Sequence, residues 1–483
     1  MNPALKYKFK TIIRSFFIAF FLLINACCGK DPGPEPPLQD PYDPLIADNY
    51  SNIASQTNSS HWGPYNLHDP TIIRHGEYYY IFSTDVAYGP NGKCGIMWRK
   101  SKDLVQWTFL GWVFDGVPPK ALAFMETNQP GYDQLAIWAP FIHKVNDTYR
   151  LYYSVPGNNG LKLACIALAT STSPEGPWND EGVVISCLPA DDYNAIDPSV
   201  VVDRVNGKHW MCYGSYSSAL YLVELDPATG LLKTPGDKGK LIAKRTNTHD
   251  AIEGGELLYN TELNRYYLFV SYDWLEDNYN VRVGRADSPE GPYYDINGND
   301  MAAAGDNFPM ITARYRFDYH SGWQGFGHNG VLYENGKYFY VSQARLGADK
   351  YCMDLHIHRM VWYETGWPTI SPERYVNVPQ TTIVPADLTG GWEHIELVST
   401  AAFNQSVIIT LAANGMVEGI TGSTWTFENN ILTLTLRNGS ETYKCHLMNE
   451  WDWEKRQRTL VYTGMTNGGK NCWGKKTEAF KKE

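Results

Sequence analysis

Three acidic residues and one histidine define the chemistry open to this chain. Asp69 opens the phrase Asp-Pro-Thr-Ile-Ile, and Asp197 opens Asp-Pro-Ser-Val-Val. Glu253 precedes Gly-Gly-Glu-Leu-Leu, and His328 opens His-Asn-Gly-Val-Leu. A lone Asp-Pro is ordinarily a turn starter. Carboxylates at equivalent positions of a repeat are different, because like charges brought together disfavour one another and packing does not return that cost. The same repulsion drives the pKa values of paired acids apart, so that one stays protonated while another is ionised. Such a set suits acid–base catalysis.

Those residues need elements that bring them together. Asp69 leads into an apolar run, a polar turn at Gly76-Glu77 and the Tyr-rich run 78–83, which predicts a β-hairpin. The outline returns at 139–154 (with Trp138 beside the opening), 197–215, 254–271 and 328–342. The starts at 69, 139, 197, 254 and 328 lie 70, 58, 57 and 74 residues apart. Self-similarity on that scale, with several strands per unit, predicts a propeller of five blades. Equivalent positions of a propeller face one axis, so Asp69, Asp197, Glu253 and His328 are expected around one cavity. Glu253 stands one place before the repeat register. The strand grammar runs from about residue 60 to 375 without a strong helix signal. Residues 379–385 read as a linker or closing strand. Six short alternating runs between 392 and 464, with Asn414-Gly415 and Asn438-Gly439 turns, then predict a second domain. The fold class is all-β: a five-bladed β-propeller followed by a small C-terminal antiparallel β-barrel or sandwich.

The N-terminus carries Lys6, Lys8, Lys10 and Arg14 before the apolar run 16–24, an export signal too short to span a bilayer. Leu23-Ile24-Asn25-Ala26-Cys27 resembles a bacterial lipobox, with Asn25 as a departure from the usual small residue. That resemblance implies cleavage before Cys27 and lipidation of its thiol. Residues 31–44 are acidic and Pro-rich, a spacer that does not pack. Acidic residues after a lipidated cysteine resemble the surface-export signals of Bacteroidetes outer-membrane lipoproteins. The expected location is the cell envelope, on the outer-membrane surface or in the periplasm, with the lipid as sole membrane contact. The expected divisions are 1–27 signal and lipobox, 28–50 linker, 51–380 propeller and 381–483 C-terminal domain. A net charge of −11 argues against nucleic acid as a partner. Cysteines other than Cys27 and Cys28 show no metal-ligand spacing and read as small buried apolar residues. A Cys445–Cys472 disulfide stays open at this point.

Taken in order, His68-Asp69-Pro70, Trp138-Ala139-Pro140, Asn194-Ala195-Ile196-Asp197-Pro198, Ala251-Ile252-Glu253 and Gly327-His328-Asn329 resemble the blade motifs of glycoside hydrolase family 43. The phrase Val281-Arg282-Val283-Gly284-Arg285 and the extra β-domain point to the endo-α-1,5-L-arabinanase branch. The resemblance implies hydrolysis with inversion, Asp69 as general base, Glu253 as general acid and Asp197 as the residue that raises the acid's pKa and orients it. It also implies arabinan and pectic side chains as substrate, with contacts from Trp138, Asn194 and Ser215, and a calcium ion at His328 held largely by water. Inversion needs base and acid about 6.5–9.5 Å apart, leaving room for a water. The usual Glu-Ala-Pro is Glu253-Gly254-Gly255 here, which leaves Glu256 as a rival for the acid. Competing readings are an exo-acting α-L-arabinofuranosidase or β-xylosidase, and a non-catalytic glycan-binding propeller.

Overall fold

The computed structural model describes residues 40–48, 59, 61–86, 92–158, 162–216, 219–245, 251–303 and 305–481. The export signal, Cys27 and linker residues 28–39 lie outside the described residues, whereas residues 40–48 do pack, against the expectation of a free spacer: Tyr42 and Ile46 join Val376, Val378, Trp451 and Trp453, and the Pro44 carbonyl accepts Gln106 Nε2 at 2.8 Å. Blade one comprises β1 (Thr71–His75), β2 (Tyr78–Ser83), β3 (Met97–Ser101) and β4 (Thr108–Trp112), paired antiparallel in chain order. Helix α1 (Pro119–Asn128) then leads to blade two, β5 (Trp138–Val145), β6 (Thr148–Pro156), β7 (Ala164–Ser171) and β8 (Asn179–Cys187). Blade three is β9 (Ser199–Val202), β10 (His209–Tyr213), β11 (Ala219–Leu225) and β12 (Lys240–Lys244). Blade four pairs three strands, β13 (Ile252–Asn260), β14 (Arg265–Tyr272) and β15 (Asn280–Ala286). Blade five holds β16 (Tyr315–Arg316), β17 (Trp323–Glu334), β18 (Lys337–Leu346), β19 (Met353–Trp362) and β20 (Pro368–Arg374).

Local chemistry explains the hairpins. β17 and β18 join through Asn335-Gly336, both at positive φ (+51° and +79°), the geometry that suits a two-residue turn between twisted strands. The first strands β1, β5, β9, β13 and β17 touch in succession and the ring closes where β17 meets β1. The chain ahead of β1 fastens that closure: the Leu67 N–H donates to the Met353 carbonyl at 3.0 Å, and the Leu355 N–H to that of Tyr65 at 2.8 Å. Apolar side chains fill the wedges between neighbouring blades, as with Ile142 and Tyr153 against Phe82, or Leu332 and Val341 against Ile72 and Ile81. Helix α1 departs from the sequence expectation. Pro119 fills the first helical position, where a missing N–H costs nothing, and Ala121, Leu122, Ala123 and Met125 favour the helix that follows. Its buried Ala121 and Met125 pack into the wedge between blades one and two.

Residues 375–384 form no strand, and the short helix α2 (Pro385–Leu388) leads into the second domain. There β21 (Gly390–Glu396), β23 (Val407–Leu411), β24 (Met416–Glu418), β25 (Ser423–Glu428), β26 (Ile431–Leu436), β27 (Glu441–Asp452), β28 (Gln457–Met465) and β29 (Asn471–Lys476) close a barrel. The remaining strand, β22 (Asn404–Gln405), leaves the barrel and pairs parallel with β16 of the propeller. Trp392, Leu411, Leu434 and Tyr462 fill the barrel interior. The Sγ atoms of Cys445 and Cys472 lie there 3.6 Å apart as buried thiols.

Polar groups join the domains. Lys475 is fully buried, with Nζ 2.8 Å from Glu373 on β20, 3.2 Å from Asp452, and in contact with Glu454. Those carboxylates are the sole group of three or more His, Cys, Asp or Glu donors among the described residues that could hold a metal ion, and the lysine ammonium fills that place. Tyr363 on the loop after β19 donates to the carbonyls of Lys444 and Met465 at 2.6 and 2.7 Å. Among the described residues no helix is long and apolar enough to cross a membrane.

Candidate active site

The entry to the innermost strand takes the same unusual backbone shape in four blades. Asp69, Ala139 and Asp197 have φ of +51°, +33° and +59°, and in blade four the position belongs to Gly254 at +60°. Non-glycine residues held there store about 1–3 kcal/mol each, a strain that persists where surroundings fix the backbone and that clusters at functional sites. Blade four explains the offset of its carboxylate: the glycine takes the left-handed turn and Glu253 sits just before it. Gly254 also answers a close approach, since a Cβ on it would lie 2.7 Å from Cγ of His328.

Asp69, Asp197, Glu253 and His328 meet in a cavity of about 350 Å³, which Trp138, Asn194 and Ser215 also line. His68, Thr84, Tyr216 and Leu275 complete much of its wall. Asp69 is buried and strongly supported. His68 Nδ1 lies 2.7 Å from its Oδ2, the Thr84 hydroxyl donates to the same oxygen at 2.6 Å, and His328 Nδ1 stands 3.6 Å from Oδ1. Burial alone would raise its pKa, but the charge and hydrogen bond of His68, then His328 and Thr84, hold it well below the ordinary carboxylate range. Asp69 is the ionised member.

Glu253 has the opposite bias. It receives the Ser215 hydroxyl on Oε2 at 2.6 Å and the Tyr279 hydroxyl on Oε1 at 2.8 Å. Burial raises its pKa, the two hydroxyls pull it back, and the charge of Asp69 raises it again, for a net upward shift. Asp197 is pushed well above its ordinary range, first by burial and then by the charges of Glu253 and Asp69. Its Oδ2 accepts the Gly254 N–H at 3.1 Å, so it holds the peptide immediately after Glu253. Burial lowers the pKa of His328, and the charge of Asp69 only partly offsets it.

Glu256 lies outside this cavity. A register slip in β13 separates it from Glu253, and its Oε2 accepts the Ser199 hydroxyl at 2.8 Å in the buried wall. Burial pushes its pKa up to about 8. Trp138 stands at the mouth with 41% of its surface exposed, a flat ring open to solvent. Asn194 lines the cavity, while Ser215 spends its hydroxyl proton on Glu253. Among the described residues His328 belongs to no group of three or more His, Cys, Asp or Glu donors that could hold an ion. Calcium prefers oxygen ligands, so an ion beside this ring fits only if water supplies most of its shell. Thr84 and Tyr279 carried no signal in the sequence, because each reaches its carboxylate from 15 or 26 residues further along the chain, whereas His68 pairs with the carboxylate next to it.

A carboxylate held toward the ionised form and another pushed toward the protonated form face one solvent-open cavity, on the axis of a five-bladed propeller and beside an exposed indole, the arrangement of a glycoside hydrolase. Residues 63–368 match the family model described as Glycosyl hydrolases family 43, and the chain belongs to that family. Residues 372–474 match the C-terminal lipocalin-like domain found with it. The chain is 28% identical over 456 residues to the extracellular endo-α-(1→5)-L-arabinanase of Thermotoga petrophila, covering 85% of this chain and 94% of that protein. A crystal structure of endo-1,5-α-L-arabinanase from Thermotoga petrophila RKU-1 superposes with a TM-score of 0.76 at 26% identity, covering 86% of this chain and 99% of that one. The extracellular exo-α-(1→5)-L-arabinofuranosidase ArbA of Cellvibrio japonicus is 32% identical over 321 residues, covering 63% of this chain and 86% of that protein.

Proposed function

We propose that this enzyme is an endo-acting α-1,5-L-arabinanase that cleaves arabinan by single displacement with inversion. The observation that carries the reading is the opposite protonation bias of Asp69 and Glu253 within one cavity. Ionised Asp69 takes a proton from water as it attacks the anomeric carbon, and protonated Glu253 delivers one to the departing oxygen. Asp197 positions Glu253 by accepting the N–H of the next residue, Gly254, while burial and then the charge of Asp69 favour protonation of the acid. Ser215 and Tyr279 fix the Glu253 carboxyl, Trp138 offers a stacking face, and Asn194 offers polar contact. Similarity to the Thermotoga petrophila enzyme through the barrel domain supports endo action, whereas the match to the Cellvibrio japonicus exo-enzyme spans less of the chain. A glycan-binding propeller without catalysis would have no use for carboxylates set apart in protonation.

A calcium ion belongs to the same proposal. The His328 ring and water would hold it, and it would supply positive field beside Asp69 and Asp197. Loss of activity on chelation, restored by calcium, is the expected result; indifference to chelation would remove the ion from the account. We infer as well that the chain is exported and lipidated at Cys27, from the lipobox-like run 23–27. The activity is tested by incubating the protein with linear α-1,5-arabinan and following products over time. A ladder of short oligosaccharides from the first samples is expected. Arabinose alone would make the enzyme exo-acting, and no product would overturn the catalytic reading.

A further inference from the structure

A second cavity, about 550 Å³ and larger than the catalytic one, adjoins it. Tyr216 lines both, and the successive residues Trp274 and Leu275 line one each, so the two spaces adjoin across Tyr216. Trp274 is half exposed. Its turn is rigid: the Trp274 N–H donates to Asn278 Oδ1 at 2.9 Å, and the Asp277 N–H to the Trp274 carbonyl at 3.2 Å. Asp273, Asn278 and Arg314 add polar groups to the wall. The Tyr216 hydroxyl is buried and has no partner among the described residues. A flat indole beside convergent hydrogen-bonding groups, in a volume within the usual range for ligand sites, is the chemistry that takes a neutral polyol.

The barrel domain builds one side of this space. Ala401 lines it from the segment between β21 and β22. Phe403 anchors that segment, with the Arg314 and Arg316 guanidinium groups over its ring at 4.4 and 4.7 Å. Gly322 and Gly347 leave room for it, because a Cβ on either would approach Phe403 to 2.9 or 2.8 Å. Arg314 Nη1 donates to the Ala401 carbonyl at 2.7 Å, and the Ser399 hydroxyl to Asp273 Oδ2 at 3.4 Å. The strand pairing of β22 with β16 completes the attachment.

We propose that this cavity is a distal subsite for further arabinofuranosyl units of the polymer, with Trp274 as its stacking platform and the barrel segment at Ala401 as its wall. The proposal rests on the arabinanase reading of the neighbouring cavity. It makes the second domain part of the substrate groove, and so a determinant of chain-length preference.

Two variants test it: Trp274→Ala removes the platform, and Ala401→Ile fills the wall side. The readout is kcat/KM on linear arabinan divided by kcat/KM on arabinotriose, which places fewer sugar units beyond the catalytic cavity than the polymer does. Trp274→Ala is expected to lower that ratio by about tenfold, the scale of one lost aromatic contact, and Ala401→Ile to lower it in the same direction by occlusion. An unchanged ratio in both variants, or an equal loss on the two substrates, overturns the subsite. A wild-type protein inactive on both substrates would overturn the catalytic reading instead. In that case stronger retention of wild type than of Trp274→Ala in an arabinan gel would still support the subsite, and equal retention would refute it.

Discussion

Replacing Tyr279 by Phe separates the role of Glu253 from that of its neighbours. Tyr279 and Ser215 donate to the two oxygens of Glu253 at 2.8 and 2.6 Å, and both bonds favour the ionised form. A hydrogen bond to a charged group contributes about 1.5–3 kcal/mol. One pKa unit corresponds to about 1.4 kcal/mol, so losing the Tyr279 bond should raise the pKa of Glu253 by about 1–2 units. General acid catalysis needs Glu253 protonated, so activity disappears as pH rises through that pKa. The basic limb of kcat/KM against pH should therefore move upward by about 1–2 units in Tyr279→Phe. The acidic limb belongs to Asp69, whose pKa is depressed, and activity disappears there as pH falls through it. That limb should hold its position. Initial rates on linear arabinan across a pH series give both limbs. A basic limb that stays or moves downward would show that another group titrates in it and would refute this assignment of the acid.

Glu256→Gln should keep activity within about twofold of wild type, because burial already favours the protonated form, which Gln resembles in shape. A loss on the 10²–10⁴-fold scale of general acid catalysis would move the acid to Glu256. Lys475→Met should lower the melting temperature sharply in a thermal scan, since it leaves Glu373, Asp452 and Glu454 buried without their cation at a cost of about 3–5 kcal/mol. An unchanged melting temperature would mean that the carboxylates take up protons at little cost.

The parts of this molecule legible in the sequence are those written locally. Repeating apolar runs around Gly and Asn turns gave five blades, and the openers Asp69, Asp197, Glu253 and His328 met where repeat equivalence put them. Even the offset of Glu253 has a local cause, the left-handed turn at Gly254. The barrel strands β27 and β29 were missed because polar residues interrupt their apolar runs. Asn449, Glu450 and Asp452 on one, and Lys475 and Lys476 on the other, are buried against partners distant in the chain rather than exposed. Helix α1 escaped notice because its signal, Pro119 ahead of good helix formers, lies between two strand runs. Thr84 and Tyr279 were invisible for a related reason: a threonine at a strand end and a tyrosine before a strand are ordinary until another segment delivers a carboxylate to them.

The roles of Asp69 and Glu253 are tested most directly by pairing each variant with two substrates. Arabinan has a poor leaving group that needs protonation, whereas an aryl arabinotrioside with an acidic phenol does not. Glu253→Gln should lose about 10²–10⁴-fold on arabinan and far less on the aryl substrate, while Asp69→Asn should lose heavily on both. Equal losses on the two substrates in Glu253→Gln would contradict the assignment of Glu253 as the general acid.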